Sequence, residues 1–373
     1  MNIDIRNQLQ EKAATLAYNA KYHGILDLSP RFGKSRTALL AFEKLSGSIR
    51  LLIAAPFNTI LESWKKEVEL WGSKHHITYC NTRSIDNIDF STIDAVILDE
   101  CHYLSDFQND VLRLCAKPIL GLTGSLSDDN RKHLKKTLGL KPIYIYSIEE
   151  AIEDKVISDF TINLHYVELD NKEKIVEYGP KKKILIGTEL QAYQWATSNF
   201  ERFKYMSYSN PALSNVKMKY AGDRSRIIYN SINKIKKTKQ LSKNKKKSLI
   251  FTGLTKVADL VCINSFHSKS SENNLEKFIN NEFNKLAVVN MANMGITDKK
   301  LKHIIINQLQ SKEENSIQRM MRAMNFEEGK EAVIDVVIVK DTVDEDWANK
   351  ALKWVNPDKI KINGINTRKN KTN

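Results

Sequence analysis

Residues 28–35 read Leu28-Ser29-Pro30-Arg31-Phe32-Gly33-Lys34-Ser35. The spacing matches the G-x-x-x-x-G-K-[ST] phosphate loop, except that Leu28 stands where the first glycine would be. In such a turn the backbone N–H groups and a helix N-terminus cradle phosphates. Lys34 would place a point charge on the β/γ oxygens, and the Ser35 hydroxyl would hold magnesium. Residues 96–102 read Val96-Ile97-Leu98-Asp99-Glu100-Cys101-His102. An apolar run ending in Asp-Glu is what hydrolysis of a magnesium nucleotide requires. Asp99 would hold the metal, directly or through water, and Glu100 would polarise the attacking water. His102 has no metal partner at suitable spacing and is not read as a zinc ligand.

These residues need elements to hold them. GILDLS (24–29) reads as a strand entering the loop, and RTALLAFEKL (36–45) as the helix leaving it. LLIAAP (51–56), IDAVILDE (93–100) and PILGLTG (118–124) read as further strands, with a helix over TILESWKKEVELWG. Continuous β-branched runs separated by helices predict a parallel sheet buried on both faces, hence an α/β fold. A second cycle starts at SLIFTG (248–253), followed by a helix around KVADLVCIN. It continues through KLAVVNM (285–291), HIIINQL (303–309), a helix near NSIQRMMRAM and the strand AVIDVVIV (332–339).

The resulting division is a first α/β domain over 1–145, a linker and first strand of the second half over 146–170, a basic and mostly helical insert over 171–247, a second α/β domain over 248–355 and a polar, frayed tail over 356–373. Within the linker the strand is FTINLHYVEL (160–169).

Charge follows the same division. The 373 residues carry 58 Lys and Arg against 44 Asp and Glu, a net of +14. Residues 1–150 hold 19 basic and 18 acidic residues, whereas 171–247 hold 19 basic and 5 acidic, and 227–247 have no acid. A one-sided basic surface attracts a polyanion and releases its counterions. Tyr193, Trp195, Phe200, Phe203, Tyr205, Tyr208, Tyr220 and Tyr229 interleave with it and could stack bases, or form ordinary helix core. Lys243, Lys245, Lys246 and Lys247 are the candidate phosphate contacts. The four cysteines are scattered, which excludes a disulfide framework or a Cys-based zinc ribbon and fits a reducing cytosol. No stretch approaches a membrane span, and the N-terminus has no apolar signal core. The expectation is a cytoplasmic chain with no membrane partner.

Phosphate loop, LLIAAP, DECH, LTGS (Leu122–Ser125) and a second α/β half, in that order, resemble the superfamily 2 helicases and translocases of the DExH type. LLIAAPFNTILESWKKEVELW is similar to the motif Ia region of the Swi/Snf-like and phage-type branches. SLIFTG with Phe266-His267-Ser268 resembles motif IV, ANMGITD (292–298) motif V and SIQRMMRAMN (316–325) motif VI. The closing TVDEDWANKAL looks like the end of small phage-encoded helicases.

The resemblance implies two tandem RecA-like domains and two cofactors, ATP and Mg2+. It implies that Gly33, Lys34 and Ser35, with neighbours Pro30, Arg31, Phe32 and Arg36, bind the nucleotide, and that Asp99 and Glu100 drive hydrolysis. Thr123 and Ser125 would couple nucleotide state to strand binding. Gly295 and Arg319 would lie near the nucleotide, and Gln318 and Arg322 would reach the γ-phosphate from the second half. Gln8 or Gln10 could read adenine, or belong to a plain amphipathic first helix. The partner implied is DNA, single-stranded, forked or branched, in preference to RNA. The chain is expected to act as a monomer, in a bacterial or phage-infected cell.

Two motifs depart from the family pattern. Thr297, then Asp298, stand where motif V often has its acid. In motif VI, alignment on Gln318 gives Arg322 as the first arginine and Asn325 in place of the second. A shift of three instead places Arg319 and Arg322 at the R-x-x-R spacing, and the first register is preferred. Loss of one arginine finger, worth about 10³–10⁵ in rate, would slow hydrolysis. Two other readings therefore stand beside a helicase. One is a duplex or branch-migration translocase without strand separation, and the other a nucleic-acid-binding protein with weakened ATPase.

Overall fold

The structure is a computed structural model. It describes residues 3–124, 126–180, 184–243, 247–270, 273–289, 301–309, 319–320, 324, 327, 329–353 and 355–363. The chain forms two compact units, one built on Met1–Asp159 and the other on Phe160–Ala292 and Glu331–Asn373.

The first unit opens with α1 (Ile3–Asn19), β1 (Gly24–Leu28), α2 (Lys34–Glu43), β2 (Arg50–Ala55) and α3 (Asn58–Trp71). It continues through β3 (His76–Asn81), β4 (Ala95–Asp99), α4 (Asp106–Cys115), β5 (Ile119–Thr123), α5 (Asp128–Leu138), β6 (Pro142–Tyr146) and α6 (Ile148–Glu153). The six strands make one sheet in the order β3-β2-β4-β5-β1-β6, parallel throughout. β1, β4 and β5 are buried at every position, as their unbroken apolar runs predict. Ile25, Leu52, Val96 and Leu98 face a core closed by Leu112 and Cys115 of α4 and by Leu134 and Leu138 of α5. Leu26, Leu51, Ile53, Ile97 and Leu120 are equally buried outside that cluster, and α1, α2 and α3 pack against β1, β5 and β2. Each parallel strand thus delivers its C-terminal tip to the same edge, where ligands bind in open α/β sheets.

The second unit begins with β7 (Asp159–Val167). The insert follows: a hairpin of β8 (Val176–Tyr178) and β9 (Leu185–Gly187), then α7 (Glu189–Ser209), α8 (Ser214–Asn230) and α9 (Ile232–Lys243). After it come β10 (Ser248–Thr252), α10 (Thr255–Val261), β11 (Ser265–Phe266), α11 (Asn273–Ile279), β12 (Lys285–Val289), β13 (His303–Ile306), β14 (Glu331–Val339), α12 (Val343–Ala351) and β15 (Ile360–Asn363). Seven strands form the second sheet, ordered β11-β12-β10-β13-β14-β7-β15. Five neighbouring pairs of this sheet run parallel.

The insert is rooted in this sheet. Glu189 is 4% exposed, and its carboxylate accepts from the amides of Asp170 at 2.9 Å and Ile232 at 2.7 Å, joining the starts of α7 and α9 to the end of β7. The Tyr193 hydroxyl accepts from Val343 N at 2.9 Å. Lys234 of α9 and Asp344 of α12 form an ion pair with both side chains fully buried. No helix among the described residues is long and apolar enough to cross a membrane.

The tail departs from the expected frayed end. Ile360–Asn363 pair in parallel with Ile162–His165 of β7 and close that edge of the sheet. The expected helix over NSIQRMMRAM lies almost wholly outside the described residues.

Candidate nucleotide site

β1 delivers the loop and α2 receives it. Gly33 caps α2 with φ 96° and ψ 53°, a left-handed conformation that glycine adopts without strain. A Cβ there would lie 2.3 Å from Gln10 Nε2. The close approach has a cause. Gln10 Nε2 donates to the Phe32 carbonyl at 2.6 Å and Arg6 Nε donates to the same oxygen at 2.9 Å, so α1 braces the loop from outside. Gln10 is fully buried. Of the two glutamines considered for adenine, it is the one that touches the loop. Phe32 is also fully buried; its ring meets Tyr146 at 4.9 Å and its amide donates to the Ser29 carbonyl at 3.2 Å, so it shapes the loop rather than facing a ligand. Arg36 donates to Asn7 Oδ1 at 2.7 Å and lies 4.2 Å from the Trp71 ring, which engages its guanidinium in holding α1, α2 and α3 together. Arg31 has φ 71°, and burial together with Arg6 lowers its pKa.

Lys34 starts α2 and its Nζ lies 3.0 Å from Glu100 Oε1. Glu100 follows β4 with φ 48° and ψ 49°, an uncommon conformation for a side-chain-bearing residue and the type of local strain that collects at functional sites. It turns the chain sharply after Asp99. The Asp99 carboxylate accepts from Trp64 Nε1 at 2.8 Å and from the Glu100 amide at 2.9 Å. His102 Nδ1 lies 2.9 Å from Thr123 Oγ1 at the tip of β5 and 3.5 Å from Glu100 Oε2. Gly124 leaves room for the lysine, since a Cβ there would come within 3.2 Å of Lys34 Nζ. Three strand tips, β1, β4 and β5, therefore converge on one ammonium.

The electrostatics are lopsided. Burial alone would lower the Lys34 pKa, but the carboxylates of Glu100, Asp99 and Asp27 outweigh it and the pKa rises. Burial raises Asp99, with Lys34 and the Trp64 hydrogen bond opposing. Burial also pushes Asp27 up to about 6, against the pull of Arg131 and Lys34. Its carboxylate accepts from the Leu126 amide and lies 3.9 Å from Arg131 Nη2. Asp27 and Trp64 are site residues that the motifs do not point to. The available signal was an acid inside the apolar run GILDL.

Three carboxylates around one ammonium, beside a helix N-terminus, suit a phosphate that engages the lysine and a cation that engages the acids. Among the described residues no group of three or more His, Cys, Asp or Glu is placed to hold a metal by itself.

The remaining candidates are distributed as follows. Arg319 is fully buried in the second unit, donating to the Gln308 carbonyl at 2.8 Å, with its guanidinium 5.5 Å from the Phe251 ring. Lys243 is exposed at the end of α9. Lys247 does not fit the expected phosphate role. It is 9% exposed, its ammonium donates to Asn281 Oδ1 at 2.6 Å and it lies 4.8 Å from the Phe278 ring, because it opens the buried strand β10. Ser125, Lys245, Lys246, Gly295, Gln318 and Arg322 lie outside the described residues, as do Thr297, Asp298 and Asn325.

Residues 212–327 match the helicase conserved C-terminal domain. Over 92% of its length the chain is 23% identical to the DNA 3'-5' translocase XPB2 of Sulfurisphaera tokodaii, covering 83% of that protein. The similarity is to superfamily 2 helicases. Among solved structures, 96% of the chain superposes on a DNA-bound ATP-dependent Type ISP restriction-modification enzyme, LlaBIII, with a TM-score of 0.62 and 13% identity. The chain spans about a third (31%) of that enzyme. Dbp5 of S. cerevisiae bound to RNA and ADP BeF3 is matched over 95% of this chain and 88% of Dbp5, with a TM-score of 0.59 and 11% identity. The two parallel-sheet α/β units thus share the RecA-like helicase fold.

Proposed function

We propose that the chain is an ATP-driven DNA translocase or helicase, and that Mg2+ accompanies ATP. The observation that supports this best is the meeting of Lys34, Asp99 and Glu100 at the N-terminus of α2. On this reading the loop amides and Lys34 bind the phosphates, while Ser35 and Asp99 hold the cation. That cation would neutralise charge on the phosphates. Glu100 orients the attacking water and takes its proton, which requires it to leave Lys34 when phosphate arrives. Of Gln8 and Gln10, Gln10 is the one proposed for the base, because it touches the loop. His102 and Thr123 would transmit the state of Glu100 to a bound strand, a role proposed for Ser125 as well. Gly295, Gln318 and Arg322 remain proposed nucleotide contacts from the second half, whereas Arg319, expected near the nucleotide, is fully buried against Gln308 and Phe251. Buried as it is, Arg319 supports the register in which Gln318 and Arg322 act.

DNA is the proposed partner because of the basic insert and the similarity to a DNA translocase. Movement on duplex without strand separation is the second reading, favoured by the translocase name of that relative. The site of action proposed is the cytoplasm of a bacterial or phage-infected cell.

The test is steady-state ATP hydrolysis across single-stranded, duplex, forked and RNA ligands. Nucleic-acid-stimulated turnover that disappears in Lys34→Ala is expected. Equal turnover in parent and variant would end the enzyme reading. Displacement of a third strand without displacement of a paired one would favour the duplex translocase.

A further inference from the structure

The insert's aromatics separate into two sets. Trp195 and Phe203 pack on Tyr220 at 5.4 and 5.5 Å between α7 and α8, and the Arg224 guanidinium covers Phe200 at 3.8 Å. Tyr193 is buried at the root. Tyr205 and Tyr208 differ from all of these. They are 74% and 76% exposed, in the last turns of α7. Three residues apart on a helix, they stand as neighbours on one face. The short turn Pro211–Leu213 then leads into α8, where Met218 is also exposed.

A phenol ring that completes no core and leaves its faces to water is unusual twice over at one hairpin end. The charge around it is one-sided. Arg202, Lys204, Lys217 and Lys219 accompany the rings with a single acid, Glu201, which pairs with Lys204 at 3.4 Å. The hairpin has a firm base, because Glu189, Tyr193 and the Lys234–Asp344 pair fix its root in the second sheet.

We infer that the α7–α8 tip is a stacking platform for unpaired bases of a nucleic-acid strand. Tyr205 and Tyr208 supply the rings, and Arg202, Lys204, Lys217 and Lys219 hold the adjoining phosphates. This rests on the nucleic-acid partner proposed above and names its contact. Flat faces offered to water suit bases, and four cations suit a polyanion better than a neutral protein surface. Paired bases hide their faces, so the tip selects single strands, or the unpaired arms of forks.

The test uses the full chain and fluorescence anisotropy with labelled oligothymidylate and a blunt duplex. Tyr205→Ala and Tyr208→Ala should each weaken oligothymidylate binding about tenfold, while Tyr→Phe at both positions stays within about twofold and blunt-duplex affinity hardly moves. Both side chains are exposed, so the thermal melt should be unchanged. An alanine pair that binds oligothymidylate like the parent overturns the inference. So does an equal loss on both ligands, or a change confined to self-association in sedimentation. The motor reading fails separately. A chain that stacks bases through these tyrosines yet shows no strand-stimulated ATP hydrolysis keeps the platform and loses the motor. Stimulated hydrolysis with silent tyrosine variants does the reverse.

Discussion

Lys34 Nζ and Glu100 Oε1 lie 3.0 Å apart, so the group proposed to grip phosphate restrains the group proposed to activate water. A carboxylate paired in this way is a poor base until something else engages the lysine. Glu100→Gln should therefore leave nucleotide binding near the parent's while lowering turnover by about 10²–10³ or more. Lys34→Ala should lose both. Nucleotide binding can be read by equilibrium dialysis and turnover by phosphate release. Parental turnover in Glu100→Gln would remove that residue from the chemistry.

Trp64 holds Asp99 through its indole N–H at 2.8 Å. Trp64→Phe keeps most of the ring but leaves a buried carboxylate oxygen without its donor. A loss of about 1–3 kcal/mol in stability is expected. Chemical denaturation at neutral pH measures it. No loss would show that water replaces the indole and that the bond does not position Asp99.

Asp27 gives the site a pH dependence of definite sign. Burial raises its pKa from 3.8 to about 6. Between these values the folded chain holds a proton that the unfolded chain has released, so this carboxyl lowers stability as pH rises through the window. The full cost is present above pH 6 and is on the order of 2–3 kcal/mol. Asp27→Asn should therefore be the more stable chain at pH 8, still able to accept from the Leu126 amide, with the advantage vanishing near pH 4. Unfolding curves that separate equally at both pH values would refute this assignment.

Lys234 and Asp344 are paired without solvent. Asp344 also accepts from Val339 N at 2.9 Å, so the carboxylate closes the turn from β14 into α12 as well. Lys234→Met should destabilise by about 3–5 kcal/mol, because it strands a buried charge. Adding Asp344→Asn should recover part of that loss. A single variant as stable as the parent would mean that the interior there admits water.

Most of the fold was legible because most strands are central. GILDL, RLLIAA, AVILD, ILGLT and SLIFT are almost wholly buried and read as unbroken apolar runs. β3, β6 and β15 were missed for the opposite reason. HITYCN, PIYIY and IKIN lie at sheet edges, half in water, and show no such run. The motif residues of the first unit were legible by spacing. Their supports were not: Arg6 and Trp64 reach the site from α1 and α3, and Asp27 of β1 belongs to no motif spacing. The lysine run misled at Lys247, since composition does not show where a solvated loop ends and a buried strand begins. The eight aromatics of the insert could not be sorted either, because which face of α7 is covered depends on α8.

The order of strands along the chain has a consequence for synthesis. The sheet of the first unit is complete once Tyr146 has left the ribosome. β7, by contrast, obtains its outer neighbour only when Ile360–Asn363 emerge, about two hundred residues after β7 itself. N-terminal domains fold first during translation. The phosphate loop is therefore shaped early, while the second sheet keeps an open edge until the closing residues arrive. A nascent chain stalled in that interval would expose β7 to pairing with its neighbours on a polysome.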